Sequence, residues 1–347
     1  MAVTEQATGD LPGPGARGDL ARRVLGSPSL RLAGRCLLAA IPVIWGVTFL
    51  TYVVMNLLPG DTAQLLLGAN ATPAEIKQLT IQLHLNEPFW VRYGHWLAGV
   101  FHGSLGTSLQ NGENVTTILG ARLPITAELL LYAFVVSLVL AVGLAVLAAR
   151  WPNGIMDRIS LVISMIGLSV APYVLALVLI YVFAVKVQWF PAIGYTSPSA
   201  NLVENIKSLT LPAISLGFPL FAVYTRLLRA DIVEQVQRED YIVTARAKGV
   251  RPWPILLRHA LPNSMFGLIT LVGLNLGTLI GATAIIEPIF SLPGAGDILV
   301  QAINSHDVPV VEGIVVVFAV VVVVANLLAD ILYAVLDPRI RYGRVAS

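Results

Sequence analysis

The chain has 347 residues, of which 56% are hydrophobic and only 12% charged, and its net charge is +2. Soluble domains are about a quarter charged, so this composition excludes an ordinary soluble enzyme, and the near-neutral balance implies no nucleic-acid partner. The single cysteine, Cys36, excludes an internal disulfide.

Residues 1–30 are rich in Gly, Pro, Ala and Arg without a sustained apolar period, and are expected to form a disordered extension. Residues 31–347 are expected to form one transmembrane domain. The first apolar run, about 36–58, is too long for a cleaved signal peptide and reads as a retained span. A polar region over about 60–124 follows. In it, Thr72-Pro73-Ala74-Glu75 carries the marks of a helix start, with a capping threonine, a proline at the first position and a glutamate at the third. Trp90, Tyr93, Trp96 and Phe101 give the region an interfacial character. Further spans are expected over about 125–149, 159–185, 209–228, 266–286 and 313–336. The fourth is the least regular, because Pro212, Gly217 and Pro219 interrupt it.

Five Lys/Arg residues precede the first span, two lie in the second connection, seven in the fourth and three in the tail, against five in all other connections. The excess alternates with each crossing. The positive-inside rule therefore places both termini and the fourth connection in the cytoplasm, and the region of about 60–124 outside.

The fourth connection, about 238–262, is a polar island in an apolar chain. Glu239 and Asp240 sit where a helix dipole favours negative charge, while Arg246 and Lys248 occupy the last turn. Gly249 suits a left-handed terminus, and Pro252 and Pro254 are expected to stop the helix. Asp240, Thr244 and Lys248 share one face, and Tyr241 and Ala245 another. The small residues Ala245, Ala247 and Gly249 would let another backbone approach closely. A solvated loop is the competing reading of these features.

Charged groups within or at the ends of spans face protein or a water-filled cavity by default. Glu287, before Pro288 at the outer end of span five, either lines the pathway or its outer gate or contacts a binding protein, or else it caps a helix end or pairs with a basic residue across the interface. Gly273, Gly277 and Gly281 form a small-residue stripe suited to helix packing, within the chain or against a second subunit. No phosphate-binding Gly-x-x-x-x-Gly-Lys-Ser/Thr sequence occurs, and the histidines form no cluster at metal-ligand spacing. No catalytic, cofactor-binding or metal-binding residue is assigned.

The order of residues in the island resembles the coupling loop of ABC importer permeases. The family pattern is Glu-Ala-Ala, three residues, Gly, nine residues, then Ile-x-Leu-Pro. Val243-Thr244-Ala245 stand at its first three positions, Gly249 is the glycine, His259 stands at the isoleucine, and Leu261-Pro262 close it. Four further features are Leu-Pro-Gly-Asp after span one, Gly-Ser-Leu-Gly-Thr-Ser before span two, Glu-x-Ile-Phe-x-x-Pro-Gly-x-Gly after span five, and Asp-Pro-Arg-Ile at the end. Together they resemble the B-type permease subunit of dipeptide/oligopeptide ABC importers.

This resemblance implies an all-α membrane protein with six transmembrane helices and a type I importer fold. It implies a helical extracytoplasmic region between spans one and two, and a cytoplasmic coupling helix between spans four and five. It implies as partners a second homologous permease, two cytoplasmic ATPases carrying ATP and Mg, and an extracytoplasmic binding protein. Contact with the ATPases would fall on Asp240, Tyr241, Thr244, Ala245, Arg246 and Ala247, and then on Lys248, Gly249 and Arg251. Glu287 and Phe290 would belong to the pathway or outer gate. The branch handles dipeptides, longer peptides, glutathione, nickel chelates and some sugars. The rival readings are an ion-coupled secondary transporter, which needs coupling-ion groups near the midplane, and a membrane-embedded enzyme.

Overall fold

The computed structural model of the protein describes residues 28–58, 62–68, 71–83 and 85–336. The extension before Pro28, Asp61 of the Leu-Pro-Gly-Asp sequence and the basic tail lie outside the described residues. Every regular element described is helical, and strand-like pairing is confined to an isolated bridge between Thr107 and Asn114.

Helix α1 (Pro28–Leu57) carries the first apolar run. Three helices of the expected polar region follow: α2 (Thr62–Leu67), α3 (Pro73–Gln82) and α4 (Phe89–Phe101). The start of α3 is the predicted capping box. Thr72 Oγ1 accepts from the Glu75 amide, and the Glu75 carboxylate accepts from the Thr72 amide at 2.8 Å. That backbone bond holds the Glu75 carboxyl below the usual range. Helix α4 lies along α1, with Thr48 and Tyr93 hydroxyls 2.9 Å apart.

Helix α5 (Val115–Arg150) begins well before the expected second span. Its first turns are too polar to read as membrane, yet Val115, Ile118 and Leu119 fall on one face and are buried. The third expected span is two helices, α6 (Ile155–Ser169) and α7 (Pro172–Leu179, continued as the π-helical Ile180–Lys186), which meet at 107°. Ala171 precedes Pro172 and is extended, with ψ of 141°, as a residue before proline prefers.

Helix α8 (Leu202–Arg238) runs unbroken through both Pro212 and Pro219, contrary to the sequence expectation of an interrupted span. Its apolar stretch is more buried than those of the other long spans, packed on α5, α6, α7 and α10. Surrounding protein supports a backbone that lacks two hydrogen bonds, which is how prolines persist in membrane helices. After α9 (Asp240–Ala247) the chain turns at Gly249, which has φ of 76°. Pro252 and Pro254 do not terminate α9. They begin the next helical stretch, Pro252–Pro254, where a missing amide costs nothing. That stretch passes through the π-helical Ile255–Ala260 into α10 (Leu261–Phe290). A left-handed Ser291 ends α10, and α11 (Ala295–Asn304) leaves at 81° to the last part of α10. Helix α12 (Val308–Leu336) completes the bundle and packs between α10 and α1.

Among the described residues, four helices are long and apolar enough to cross a membrane, and the α6–α7 and α10–α11 pairs bring the number to six when each pair is one span. The protein is thus an all-α membrane protein. One large core cluster joins α5, α8 and α10, and a second cluster around Met55, Val115 and Val311 joins α1, α5 and α12.

Among the described residues, the tightest helix approaches within the chain fall at glycines outside the predicted stripe. A Cβ at Gly277 would touch Val322 of α12 in ordinary contact at 3.4 Å, and one at Gly281 would meet no described atom within 4 Å. The surroundings of Gly273 lie outside the described residues. By contrast, a Cβ at Gly217 would lie 2.8 Å from the carbonyl oxygen of Ala133, a backbone atom of α5. Gly217→Ala must therefore push α5 from α8 and is expected to cost about 1–3 kcal/mol, while Gly281→Ala stays within about 0.5 kcal/mol. Thermal unfolding of the purified variants checks both, and a wild-type midpoint for Gly217→Ala would refute the close-approach argument.

Candidate functional site

Two clusters at opposite ends of the bundle are built with more polar chemistry than packing alone requires. The first is the island. Helix α9 lies against the ends of α8 and α10 and is held by three contacts. Ile242 is fully buried in the main core. The Tyr241 hydroxyl donates to Gln235 Oε1 of α8 at 2.5 Å and accepts from Asn263 Nδ2 of α10 at 3.0 Å. Arg246 donates to the Val236 carbonyl at 3.1 Å. Within the helix, Thr244 Oγ1 donates to the Asp240 carbonyl at 3.0 Å.

The sequence-predicted island residues thus divide into two sets. Tyr241, Ala245 and Arg246 make contacts to their own bundle, with Ala245 packed on the core, although Tyr241 and Arg246 also keep exposed surface. Asp240, Thr244, Ala247, Lys248, Gly249 and Arg251 are exposed. A Cβ at Gly249 would meet nothing within 4 Å, so its left-handed backbone and not crowding within the chain selects glycine.

Beside this end, Asp157 at the start of α6 is buried and accepts two hydrogen bonds from Arg229 of α8, at 2.8 and 2.7 Å, plus one from the Asn153 amide at 2.8 Å. Sequence reading did not find this bidentate pair. The two residues lie 72 apart, and nothing local marks them as partners.

The second cluster is the corner between α10 and α11. The Glu287 carboxylate has no solvent exposure and accepts from three donors: Thr126 Oγ1 of α5 at 2.7 Å, the Gly296 amide at 2.7 Å and the Asp297 amide at 3.0 Å. Thr126 Oγ1 in turn accepts from the Ala295 amide at 2.8 Å. All three amides belong to the first turn of α11, whose donors have no partner within the helix. The carboxylate therefore caps α11 from α10, and the dipole of α11 favours its charge.

The glycines of the same sequence stretch are explained by this geometry. A Cβ at Gly294 would overlap the Glu287 carboxyl group, and one at Gly296 would lie 2.7 Å from backbone atoms of Thr283 and Ala284. Phe290 is buried in the main core, and its carbonyl accepts from the Gly194 amide at 2.9 Å. Next to it, Tyr195 donates to Glu128 at 2.7 Å. Burial first, and then that acceptor, push the Tyr195 hydroxyl up to about 12, so it remains a donor at any physiological pH.

Beyond the corner, Asp307 accepts from Ser108 Oγ at 2.5 Å and from the Leu109 amide at 3.1 Å, tying the Gly103–Ser108 link to the start of α12. Among the described residues no group of three His, Cys, Asp or Glu side chains is placed to hold a metal ion.

Residues 141–342 match the family described as binding-protein-dependent transport system inner membrane component, and residues 29–130 match the N-terminal region of such membrane components. The chain belongs to this family. It is 36% identical over 333 residues to the dipeptide transport system permease protein of Alkalihalophilus pseudofirmus, covering 90% of this chain and all of that one. It is 37% identical over 308 residues to the oligopeptide transport system permease protein of Bacillus subtilis, covering 88% of this chain and 97% of that one. It is 34% identical over 306 residues to the glutathione transport system permease protein of Pectobacterium atrosepticum, covering 88% and 97%. The chain is therefore a multi-pass permease subunit of an ABC importer, and the two polar clusters are features of such a subunit.

The Glu287 corner yields a prediction that separates capping from gating. Glu287→Gln keeps one acceptor oxygen for the two α11 amides and is expected to leave assembly intact. Glu287→Leu strands three donors, at about 1–3 kcal/mol each, and is expected to unfold α11. Amide hydrogen exchange across residues 295–304 of the permease reads the difference. Equal protection in both variants would show that the carboxylate does not hold the corner.

Proposed function

We propose that this permease forms half of the translocation pathway of an ATP-driven importer of di- or oligopeptides, with α9 as the element that receives motion from a cytoplasmic ATPase. The observation that carries the proposal is the division of α9 into two faces. One face is fixed to α8 and α10 through Ile242, Tyr241 and Arg246. The other presents Asp240, Thr244, Ala247 and Lys248 to whatever lies beyond the chain. A solvated loop has no need of a buried isoleucine and a tyrosine bridging two spans. The peptide substrate is supported by the similarity to the dipeptide and oligopeptide transport permeases. Glutathione, itself a peptide, is the second reading, after the third relative.

In this proposal two ATPases supply the energy, a second homologous permease supplies the other half of the pathway, and a binding protein delivers substrate from outside. Lys and Arg enrichment supports a cytoplasmic position for both termini and α9. The Glu287 corner then lies at the outer end. With Phe290 buried beside it, this corner acts as the frame of an outer gate: Glu287 keeps α11 fixed to α10, so the two move together. In this proposal ATP hydrolysis belongs to the partner subunits.

Orientation is tested with single cysteines in a Cys36→Ser background. Asn111 and Asn304 are exposed at the end opposite α9, and Arg251 is exposed beside it. Asn111→Cys and Asn304→Cys are expected to react with an impermeant thiol reagent in intact cells, and Arg251→Cys only after lysis. Labelling of Arg251→Cys in intact cells would reverse the topology.

Coupling is tested at Gly249. Its φ of 76° strains a β-branched residue by about 1–2 kcal/mol, while the empty space around it means that valine disturbs no packing within the chain. Gly249→Val is therefore expected to insert and fold normally but to lose the ATPase subunits on purification, or to lose binding-protein-stimulated ATP hydrolysis. Normal values of both would leave α9 a solvated loop and remove the proposal's central support.

A further inference from the structure

A cavity of about 360 Å3 lies at the α9 end of the bundle. It is lined by the last residues of α5, Pro152 of the α5–α6 link, the end of α8, Arg246 of α9 and the stretch that leads into α10. Two of the lining side chains are arginines, Arg150 and Arg246, and no acid lines the cavity. A cleft walled by one sign of charge raises the local concentration of counter-ions.

Neither arginine is neutralised within the described chain. Arg150 lies over the Trp151 ring, 5.1 Å from its centroid, and makes no hydrogen bond or ion pair among the described residues. Its Nε is closed off from water without an acceptor, but its terminal nitrogens are not closed off, so their N–H groups remain open to a ligand. Arg246 is exposed and gives one terminal nitrogen to the Val236 carbonyl at 3.1 Å, and no acid pairs with it among the described residues. A guanidinium presents five N–H donors in a planar fork that suits phosphate oxygens.

The surroundings point to the source of the phosphate. Val236, Val250, Ile255 and Leu256 make most of the remaining wall apolar. Arg150 is the last residue of α5, so the cavity opens where an apolar span ends. Trp151 and Trp253, which flank lining residues in the sequence, are both exposed and meet edge to face at 6.2 Å. Exposed tryptophans at the end of a span mark the headgroup level of a bilayer. Helix α6 then opens with the exposed apolar side chains Ile155, Met156 and Ile159. An acidic side chain of a partner protein would match the two charges, but it has no use for the apolar wall or the tryptophan pair.

We propose that this cavity holds the headgroup phosphate of an anionic phospholipid, with Arg150 and Arg246 on the phosphate oxygens and the glycerol end of the acyl chains against the apolar wall. Basic pockets between spans on the cytoplasmic side take such headgroups. The inference is independent of the importer's substrate, and it rests on the proposed orientation only for the choice of the inner leaflet.

The test uses the complete transport complex, delipidated in detergent and titrated with dioleoylphosphatidylglycerol or dioleoylphosphatidylcholine, with bound lipid read by native mass spectrometry. Wild type is expected to bind phosphatidylglycerol in preference to phosphatidylcholine. Arg150→Gln and Arg246→Gln are each expected to weaken phosphatidylglycerol binding about fivefold and to leave phosphatidylcholine binding unchanged. Arg158 of α6 is exposed at the same end of the bundle and lines no part of the cavity, so Arg158→Gln is expected to bind as wild type does. Inorganic phosphate at the lipid's concentration is not expected to displace it, because it brings nothing to the apolar wall. No preference in wild type, unchanged binding in both cavity variants, or an equal loss in Arg158→Gln would each overturn the proposal, the last by showing diffuse surface charge. Displacement by inorganic phosphate would make this a free-anion site and also overturn it. If Arg246→Gln fails to assemble, Arg150→Gln and Arg158→Gln decide alone. Loss of the ATPase subunits from Arg150→Gln, with phosphatidylglycerol binding unchanged, would put an acidic side chain of a partner in the cavity and overturn the lipid assignment. Because lipid binding is read in detergent, its failure leaves the import reading and the proposed orientation standing.

Discussion

A carboxylate with no access to water receives three hydrogen bonds at the point where α10 turns into α11. In a bilayer the alternative to this arrangement is severe, because exposed backbone amides and a bare charge cannot fall back on solvent. The α10–α11 turn frees the first amides of α11, and the Glu287 side chain is the group that meets them. Thr126 extends the tie to α5, so three helices meet on one side chain. The tight turn, the two glycines that make room for it and the left-handed Ser291 follow from that single requirement.

The same principle governs the opposite end. Asp157 and Arg229 are held together as a bidentate pair with an added backbone amide, the geometry in which a buried ion pair offsets its desolvation. It ties α6 to α8 close to the point where α8 hands over to α9. Glu312 breaks the pattern, being buried to the same degree as Glu287 and yet left without a donor. Among the described residues, then, the buried acids Asp157, Glu287 and Asp307 each accept hydrogen bonds and Glu312 accepts none.

Much of the fold was legible in the sequence because a bilayer imposes a simple rule. Apolar runs of sufficient length marked the spans, and the capping box at Thr72 and the left-handed Gly249 were found where their residue types predicted. Failures occurred where tertiary contact overrode local chemistry. Pro212 and Pro219 read as interruptions, but the burial of α8 among four helices lets the helix continue. Pro252 and Pro254 read as a stop and proved to be a start, since a proline's missing amide is harmless in a first turn. The 107° break in the third span rests on two extended residues, Val170 and Ala171, before Pro172, too small a signal against a long apolar run. Of the candidate site, the island was visible as a charge anomaly, and Glu287 as a charge in an apolar context. Their partners Gln235, Asn263 and Thr126 were not, nor was the Asp157–Arg229 pair, because a hydrogen bond between distant segments leaves no local pattern.

The two ends are connected by α10. Its first turn holds α9 through Asn263 and Tyr241, and its last turn holds α11 through Glu287. A helix of 30 residues is about 45 Å long, enough to cross the hydrocarbon region, and it packs on α8 and α12. Under the coupling proposal, a push on α9 therefore reaches the opposite end as movement of a rigid rod and not as a chain of side-chain rearrangements. This places a demand on the anchors. If either were a single exposed contact, the rod would slip before it moved its load. Each is instead multiple: a buried isoleucine plus a bridging tyrosine at one end, a three-donor carboxylate at the other. The polar groups in this chain are concentrated where such a rod would have to be gripped.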